Sequence, residues 1–194
     1  MCGRYQFTKT QSEELLNITQ DIERKYGAKA LNFGEIRPGS KAPVLLPSPN
    51  GPVPELSAWG YRLPGKSLVI NARSETAAEK PMFRDGITAR RCVIPSTGFF
   101  EWDGAKRKHL FTLPNAEVLY MAGIFDVVGE NFCYCILTTA ANDSMREIHD
   151  RMPLVLTKEQ IEAWINDAAE TATLLHMTPP KLEKRQMDGQ ISLW

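Results

Sequence analysis

The sequence has little that would place it in a specialised class. Its four cysteines are Cys2, Cys92, Cys133 and Cys135, and their spacing fits neither a disulfide framework nor a zinc site. It has no excess charge of either sign, with 23 Lys and Arg against 23 Asp and Glu. No global basic field therefore marks it for nucleic acid, and any such binding has to come from a local patch. No apolar run approaches the roughly 18 residues that span a bilayer, and the amino end lacks a basic-then-apolar signal segment. There is no repeat, low-complexity tract or linker. What remains is an ordinary globular composition, 43% hydrophobic and 24% charged over 194 residues. This is expected to form one domain, residues 1–194, with a sizeable core. Unpaired thiols and the missing signal segment make a reducing cytoplasm the expected compartment.

Thr10-Gln-Ser-Glu13 has the form of a capping box. Behind it, Leu15, Leu16, Ile18 and Ile22 recur at helical spacing, which predicts a helix from about Gln11 to Arg24. Residues 34–58 are rich in Pro and Gly and read as loop with a short strand at 44–46. Apolar or alternating runs at 68–72, 91–95, 99–102, 110–113, 118–128, 132–139 and 152–156 predict strands. Residues 144–149 read as one helical turn. Thr157-Lys-Glu-Gln160 is a second capping box, opening a helix with Ile161, Trp164 and Ile165, and a short last helix is expected at 171–177. The polar stretch 181–190 reads as a loosely held tail. Many strands, few helices and no βαβ rhythm predict an α+β fold. Its core is expected to be a mainly antiparallel, curled or barrel-like sheet with a few flanking helices.

Four segments carry polar residues where packing alone would not put them. The chain opens MCGRY, so removal of Met1 would leave Cys2 with a free α-amine and a thiol on adjacent carbons. In LVINARSE, Asn71, Arg73 and Glu75 are two apart and share one face if the segment is a strand. In STGFFEW, alternation turns Glu101 away from Phe100 and Trp102; in a partly apolar cleft such a carboxyl would titrate nearer neutrality. In EIHDRMPLVL, His149 stands beside Asp150 and Arg151 at the mouth of an apolar run, a position suited to a proton shuttle. Each also has a plain structural reading: a frayed start, a solvated strand face, an exposed strand carboxylate and a surface histidine.

Together, MCGRY, NARSET, GFFEW and HDRMPLVL, in this order and at these distances, resemble the SOS response-associated peptidase family from Met1 to about Trp164. The resemblance implies a single α+β domain that binds single-stranded DNA and crosslinks covalently to an abasic site. It implies self-removal of the first residue, hence the peptidase name; a monomer with no cofactor, metal or membrane partner is expected. It maps the nucleophile to Cys2 and its partners to Asn71, Glu101 and His149. DNA contacts map to Arg4, Arg73, Pro38, Thr138, Arg151, Met152 and Pro153. The chemistry suits these residues. An α-amine with a pKa near about 8 is partly neutral at physiological pH, whereas a lysine near about 10.4 is almost wholly protonated. The amine can form an imine with the ring-opened sugar aldehyde, and the adjacent thiol can close a thiazolidine.

The chain departs from the family pattern at Glu35, where an asparagine is common, at Pro81, in the short segment 61–70 and in its tail. Two rival readings use the same residues. One is a thiol peptidase acting on other proteins through Cys2 and His149; the other is a non-covalent single-strand binding module in which Cys2 is incidental.

Overall fold

The computed structural model describes residues 2–62, 68–129 and 131–187. In chain order these form β1 (Arg4–Phe7), α1 (Glu13–Tyr26), β2 (Gly34–Ile36), β3 (Lys41–Leu46), β4 (Val53–Trp59), β5 (Asn71–Arg73), α2 (Ser74–Ala77) and α3 (Pro81–Ala89). Then come β6 (Arg91–Ser96), β7 (Gly98–Trp102), β8 (Lys108–Thr112), β9 (Leu119–Val128), β10 (Asn131–Ala140), β11 (Arg151–Pro153) and β12 (Val155–Leu156). Two helices, α4 (Gln160–Asn166) and α5 (Ala168–Leu174), and a last strand, β13 (Glu183–Gln186), complete the order.

Strands β4, β3, β6, β9 and β10 pair in that order, and β10 pairs back onto β4, so five strands close a barrel. Most pairings are antiparallel; β10 runs parallel to β4 and β5. A second sheet, ordered β13-β8-β7-β1-β2, packs against the barrel. The expected α+β fold with a curled, mainly antiparallel core is therefore what the chain forms. Closure removes sheet edges that would otherwise expose unpaired backbone.

Alternation assigns the faces of the second sheet. Tyr5 and Phe7 of β1 are buried, and Arg4 and Gln6 take the opposite face. Phe99 of β7 lies opposite both Tyr5 and Phe111, and it stacks on Phe111 with ring centroids 5.3 Å apart. The buried hydroxyls of Tyr5 and Tyr134 sit 2.6 Å apart, and Tyr5 meets Trp59 at 5.2 Å. These contacts join β1 to the barrel through one core.

Several local elements differ from the sequence-based expectation for identifiable reasons. In the first capping box the Thr10 hydroxyl accepts from the Ser12 amide at 3.1 Å, and α1 starts at Glu13 with no side-chain cap. Half of the second box forms, with Gln160 Oε1 accepting from the Thr157 amide at 2.9 Å. Residues 81–89 carry no strong signal, yet Pro81 opens a helix at its first position, where a missing N–H costs nothing. The Pro/Gly-rich stretch 34–58 contains β2, β3 and β4, divided by a Pro38-Gly39 turn with Gly39 at φ 85°, the backbone sign a type II turn needs. The expected loose tail includes β13, which pairs with β8.

Gly98 starts β7 at φ 144°, and a Cβ there would lie 2.6 Å from the Phe111 carbonyl oxygen and 2.9 Å from Leu110 Cδ1. Gly98→Ala is expected to destabilise the protein by roughly 2–3 kcal/mol through overpacking and backbone strain. A urea titration would check this, and an unchanged midpoint would refute it.

Candidate active site

Pairing of β1 between β2 and β7 draws the start of the chain into the interior instead of leaving it to fray. Cys2, two residues ahead of Arg4, is 0% exposed. Asn71, at the start of β5, donates from Nδ2 to the Cys2 carbonyl at 2.9 Å. Its Oδ1 is buried and has no hydrogen-bond partner among the described residues, which leaves one acceptor unused beside Cys2. Cys2 Sγ lies 3.8 Å from the Arg4 carbonyl. Burial pushes the Cys2 thiol up, and the neighbouring Glu101 carboxylate adds to the rise.

Glu101 lies on the inward face of β7, two residues beyond Phe99, and is 5% exposed. Burial raises its carboxyl above the ordinary carboxylate range, and His149 lies close enough to interact with it electrostatically. Cys2, Asn71, Glu101 and His149 thus come from four separate parts of the sequence and meet in one cluster.

His149 ends the expected helical turn, where its amide donates to the Met145 carbonyl at 3.1 Å. Its Nδ1 accepts from the Arg151 amide at 2.9 Å, while Asp150 Oδ1 lies 2.8 Å from the same atom. One tautomer cannot serve both. The Asp150 side chain is 86% exposed and water can solvate it, whereas the Arg151 amide heads β11. We assign Nδ1 as the acceptor from Arg151, which puts the ring proton on Nε2.

Arg151 is itself clamped. Its guanidinium donates to both carboxylate oxygens of Glu75, at 2.6 and 2.9 Å, and to the Thr138 carbonyl at 2.6 Å. The Arg151 guanidinium holds the Glu75 carboxyl below its ordinary range. The expectation that Asn71, Arg73 and Glu75 share one strand face therefore fails at its last member. β5 ends at Arg73 and α2 begins at Ser74, so the helical turn carries Glu75 round to Arg151. Opposite charges in two of the motifs were the sequence signal for this pair.

The remaining sequence-identified residues divide by burial. Thr138, Met152 and Pro153 are buried. Pro38 is half-buried in its turn, and Arg73 is exposed where β5 ends. Arg4 points to the outer face of the second sheet, where it pairs with Glu35 and lies 5.9 Å from the Trp102 ring centroid. Lys108, which sequence reasoning passed over, pairs with the other Glu35 oxygen and sits 3.9 Å over Phe100. A short basic run, KRK at 106–108, was its signal. Also passed over was His109, directly opposite Glu101 across β7 and β8 and 3.1 Å from Asp103 Oδ2 through Nε2. Pro81 heads α3 and is exposed; part of the departing 61–70 segment and the end of the tail lie outside the described residues.

The arrangement brings together a buried thiol, a carboxyl poised to carry a proton, an imidazole with a fixed acceptor and an amide holding the backbone between them. Among the described residues no group of three or more His, Cys, Asp and Glu side chains converges as metal ligands would, and no helix is long and apolar enough to cross a membrane.

The sequence profile described as SOS response associated peptidase (SRAP) matches residues 1–191. The chain is 35% identical over 179 residues to the abasic site processing protein YedK of Escherichia coli, covering 85% of this chain and 79% of that one. It is 35% identical over 175 residues to the abasic site processing protein YoaM of Bacillus subtilis, covering 84% and 68%. Solved structures of proteins from Bacteroides thetaiotaomicron and Bordetella bronchiseptica share the fold. Each has a TM-score of 0.76 and 24% identity and covers 96% of this chain, with 92% and 100% of the other chain covered. By the extent of the profile match and the identity to its relatives, the chain belongs to the SOS response associated peptidase family.

Proposed function

We propose that this protein binds single-stranded DNA and captures abasic sites covalently through the aminothiol of Cys2, once Met1 has been removed. The observation that carries the reading is the docked Cys2 backbone, held by Asn71 at 2.9 Å beside the buried Glu101 carboxyl. The names of the relatives support the same reaction class.

Removal of Met1 adds one water across the Met1–Cys2 amide: the C–N bond breaks, the carbonyl carbon gains hydroxyl and the nitrogen gains hydrogen. Glu101 activates the water and the cluster carries out its own processing. The freed amine then attacks the C1′ aldehyde carbon of the ring-opened sugar. Glu101 takes a proton from nitrogen and returns one to the departing hydroxyl, so one water leaves and an imine forms. The thiol adds to the imine carbon, its proton passes to nitrogen, and a thiazolidine closes.

The raised Cys2 thiol fits this order, with the amine as first nucleophile and sulfur second. It fits poorly with a thiolate–imidazole peptidase, which depends on a lowered thiol pKa. Asn71 aligns Cys2 and offers its unused Oδ1 to the incoming hydroxyl. His149 binds the sugar's hydroxyl end through Nε2–H, with Glu75 and Arg151 fixing the ring from behind. Arg4 and Arg73 bind flanking phosphates without reading sequence.

Incubation with an oligonucleotide bearing one abasic site, followed by a denaturing gel, tests the proposal. A shifted band that survives denaturation is expected, with mass spectrometry placing the sugar on Cys2. No such band, or attachment through a lysine, would overturn it. Arg73→Glu is expected to weaken binding to an undamaged single strand by about tenfold near 0.1 M salt, with the deficit shrinking as salt rises. A salt-independent deficit, or none, would remove Arg73 from the phosphate contacts.

A further inference from the structure

The outer face of the second sheet carries a cation cluster already filled by the protein itself. Glu35 of β2 stands opposite Gln6 of β1, beside Arg4 on the same face. One Glu35 oxygen, Oε1, is paired with Arg4 and lies 3.4 Å from Arg37 Nε. The other, Oε2, is paired with Lys108, which reaches over from β8 across Phe100. Arg4 and Lys108 both lie over the Trp102 ring, at 5.9 and 5.7 Å from its centroid. Among the described residues Glu35 is the carboxylate these three cations share, and its side chain is only 22% exposed.

A carboxylate with each oxygen on a different cation presents the same pattern as the two non-bridging oxygens of a phosphodiester. Trp102 at the edge offers a ring on which a base can stack. The face begins at Arg4, two residues along the chain from Cys2. Burial alone would raise the Glu35 carboxyl, yet Lys108 and Arg4 hold it below its ordinary range, so the carboxylate stays charged and seated at neutral pH.

We infer that Glu35 is a built-in competitor occupying the phosphate seat formed by Arg4, Arg37 and Lys108, and that it keeps the affinity for intact single strands low. This rests on the DNA-binding reading above and adds a specificity determinant to it. A strand enters this seat only by displacing Glu35, so an undamaged strand leaves readily, whereas an abasic strand is retained by its covalent bond to Cys2. Selection then falls to the chemistry at Cys2 instead of to equilibrium binding.

The test measures binding of an undamaged oligothymidylate by fluorescence anisotropy across a salt series, using the full chain, Glu35→Gln and Glu35→Asp. Glu35→Gln is expected to bind about three- to tenfold more tightly near 0.1 M salt, since it unmasks charges that neutralise phosphate. Its log Kd against log salt should steepen by about 0.7 for each further phosphate neutralised. Glu35→Asp keeps the charge and should stay close to the parent. If the parent binds and Glu35→Gln binds equally or more weakly, Glu35 orients the cations instead of masking them and the inference fails alone. If neither the parent nor either variant binds, the DNA reading fails and the inference with it.

Discussion

Cys2→Ala is expected to abolish the denaturation-resistant adduct with an abasic oligonucleotide while leaving binding to undamaged single strands within about twofold. Arg4 and Arg73, the residues proposed to contact phosphates, are untouched by the change, and electrostatic contacts dominate such binding. Cys2 is fully buried, so loss of its sulfur costs roughly 1 kcal/mol of packing, which a cooperative melt would register without loss of fold. The variant also separates the two nucleophiles. After Met1 is removed, the substituted chain would still present an α-amine, so an imine still forms but cannot close a ring. A band should therefore reappear only when borohydride is added, because hydride reduces the imine to a stable amine. Parental yield from Cys2→Ala without reductant would remove sulfur from the mechanism. No band even with reductant would mean that the amine is never freed, or never reaches the sugar.

Glu101→Gln is expected to slow crosslinking by about 10²- to 10⁴-fold, the usual worth of a positioned acid–base group. Processing of Met1 should slow with it, because both steps draw on the same carboxyl. Stability should move the other way. A carboxyl raised by burial binds more protons folded than unfolded. Its contribution therefore falls as pH climbs from the ordinary carboxylate range through the raised folded value. Above that window the ionised form is a burden on the fold, which the isosteric, uncharged glutamine relieves. The melting temperature of Glu101→Gln should exceed the parent's by a few degrees at pH 8, by about 2–4 °C per kcal/mol for a chain of this size, and the gap should close near pH 4. A variant with normal crosslinking would displace Glu101 as the proton carrier. One that is inactive and also less stable at pH 8 would make Glu101 a structural residue.

The shifted carboxyls at Glu35 and Glu75 carry the opposite sign. Both are lowered in the folded state by cationic partners, so what they add to stability is present above the ordinary carboxylate value and lost on acidification. Among the described residues Glu101 is thus a carboxyl raised by burial while Glu35 and Glu75 are lowered by cations, a separation that supports the proposed proton-carrying role of Glu101.

Much of the fold was legible in one dimension because its causes are local. Alternation in GFFEW puts Phe99 and Glu101 on one face and Phe100 and Trp102 on the other, and the paired strands keep that division. Leu15, Ile18 and Ile22 mark the inner stripe of α1, where each is buried. The misses lie where local signals compete. Residues 81–89 are helical because Phe83 and Ile87 find the barrel wall. Glu183–Gln186 is a strand because β8 offers an open edge, although its own residues are all exposed.

By itself the sequence determined which residues are chemically unusual: a cysteine beside the initiator, a carboxylate within an aromatic strand, an asparagine in an apolar one and a histidine at the mouth of another. Periodicity and side-chain chemistry are properties of neighbours along the chain, so they can be read there. Only the tertiary structure decided that Asn71 grips the Cys2 backbone, that Glu75 reaches Arg151 instead of solvent and that Glu35 sits between Arg4 and Lys108. Those pairings join residues between 31 and 76 positions apart, and strand order and barrel closure, which no local pattern encodes, set the distances between them.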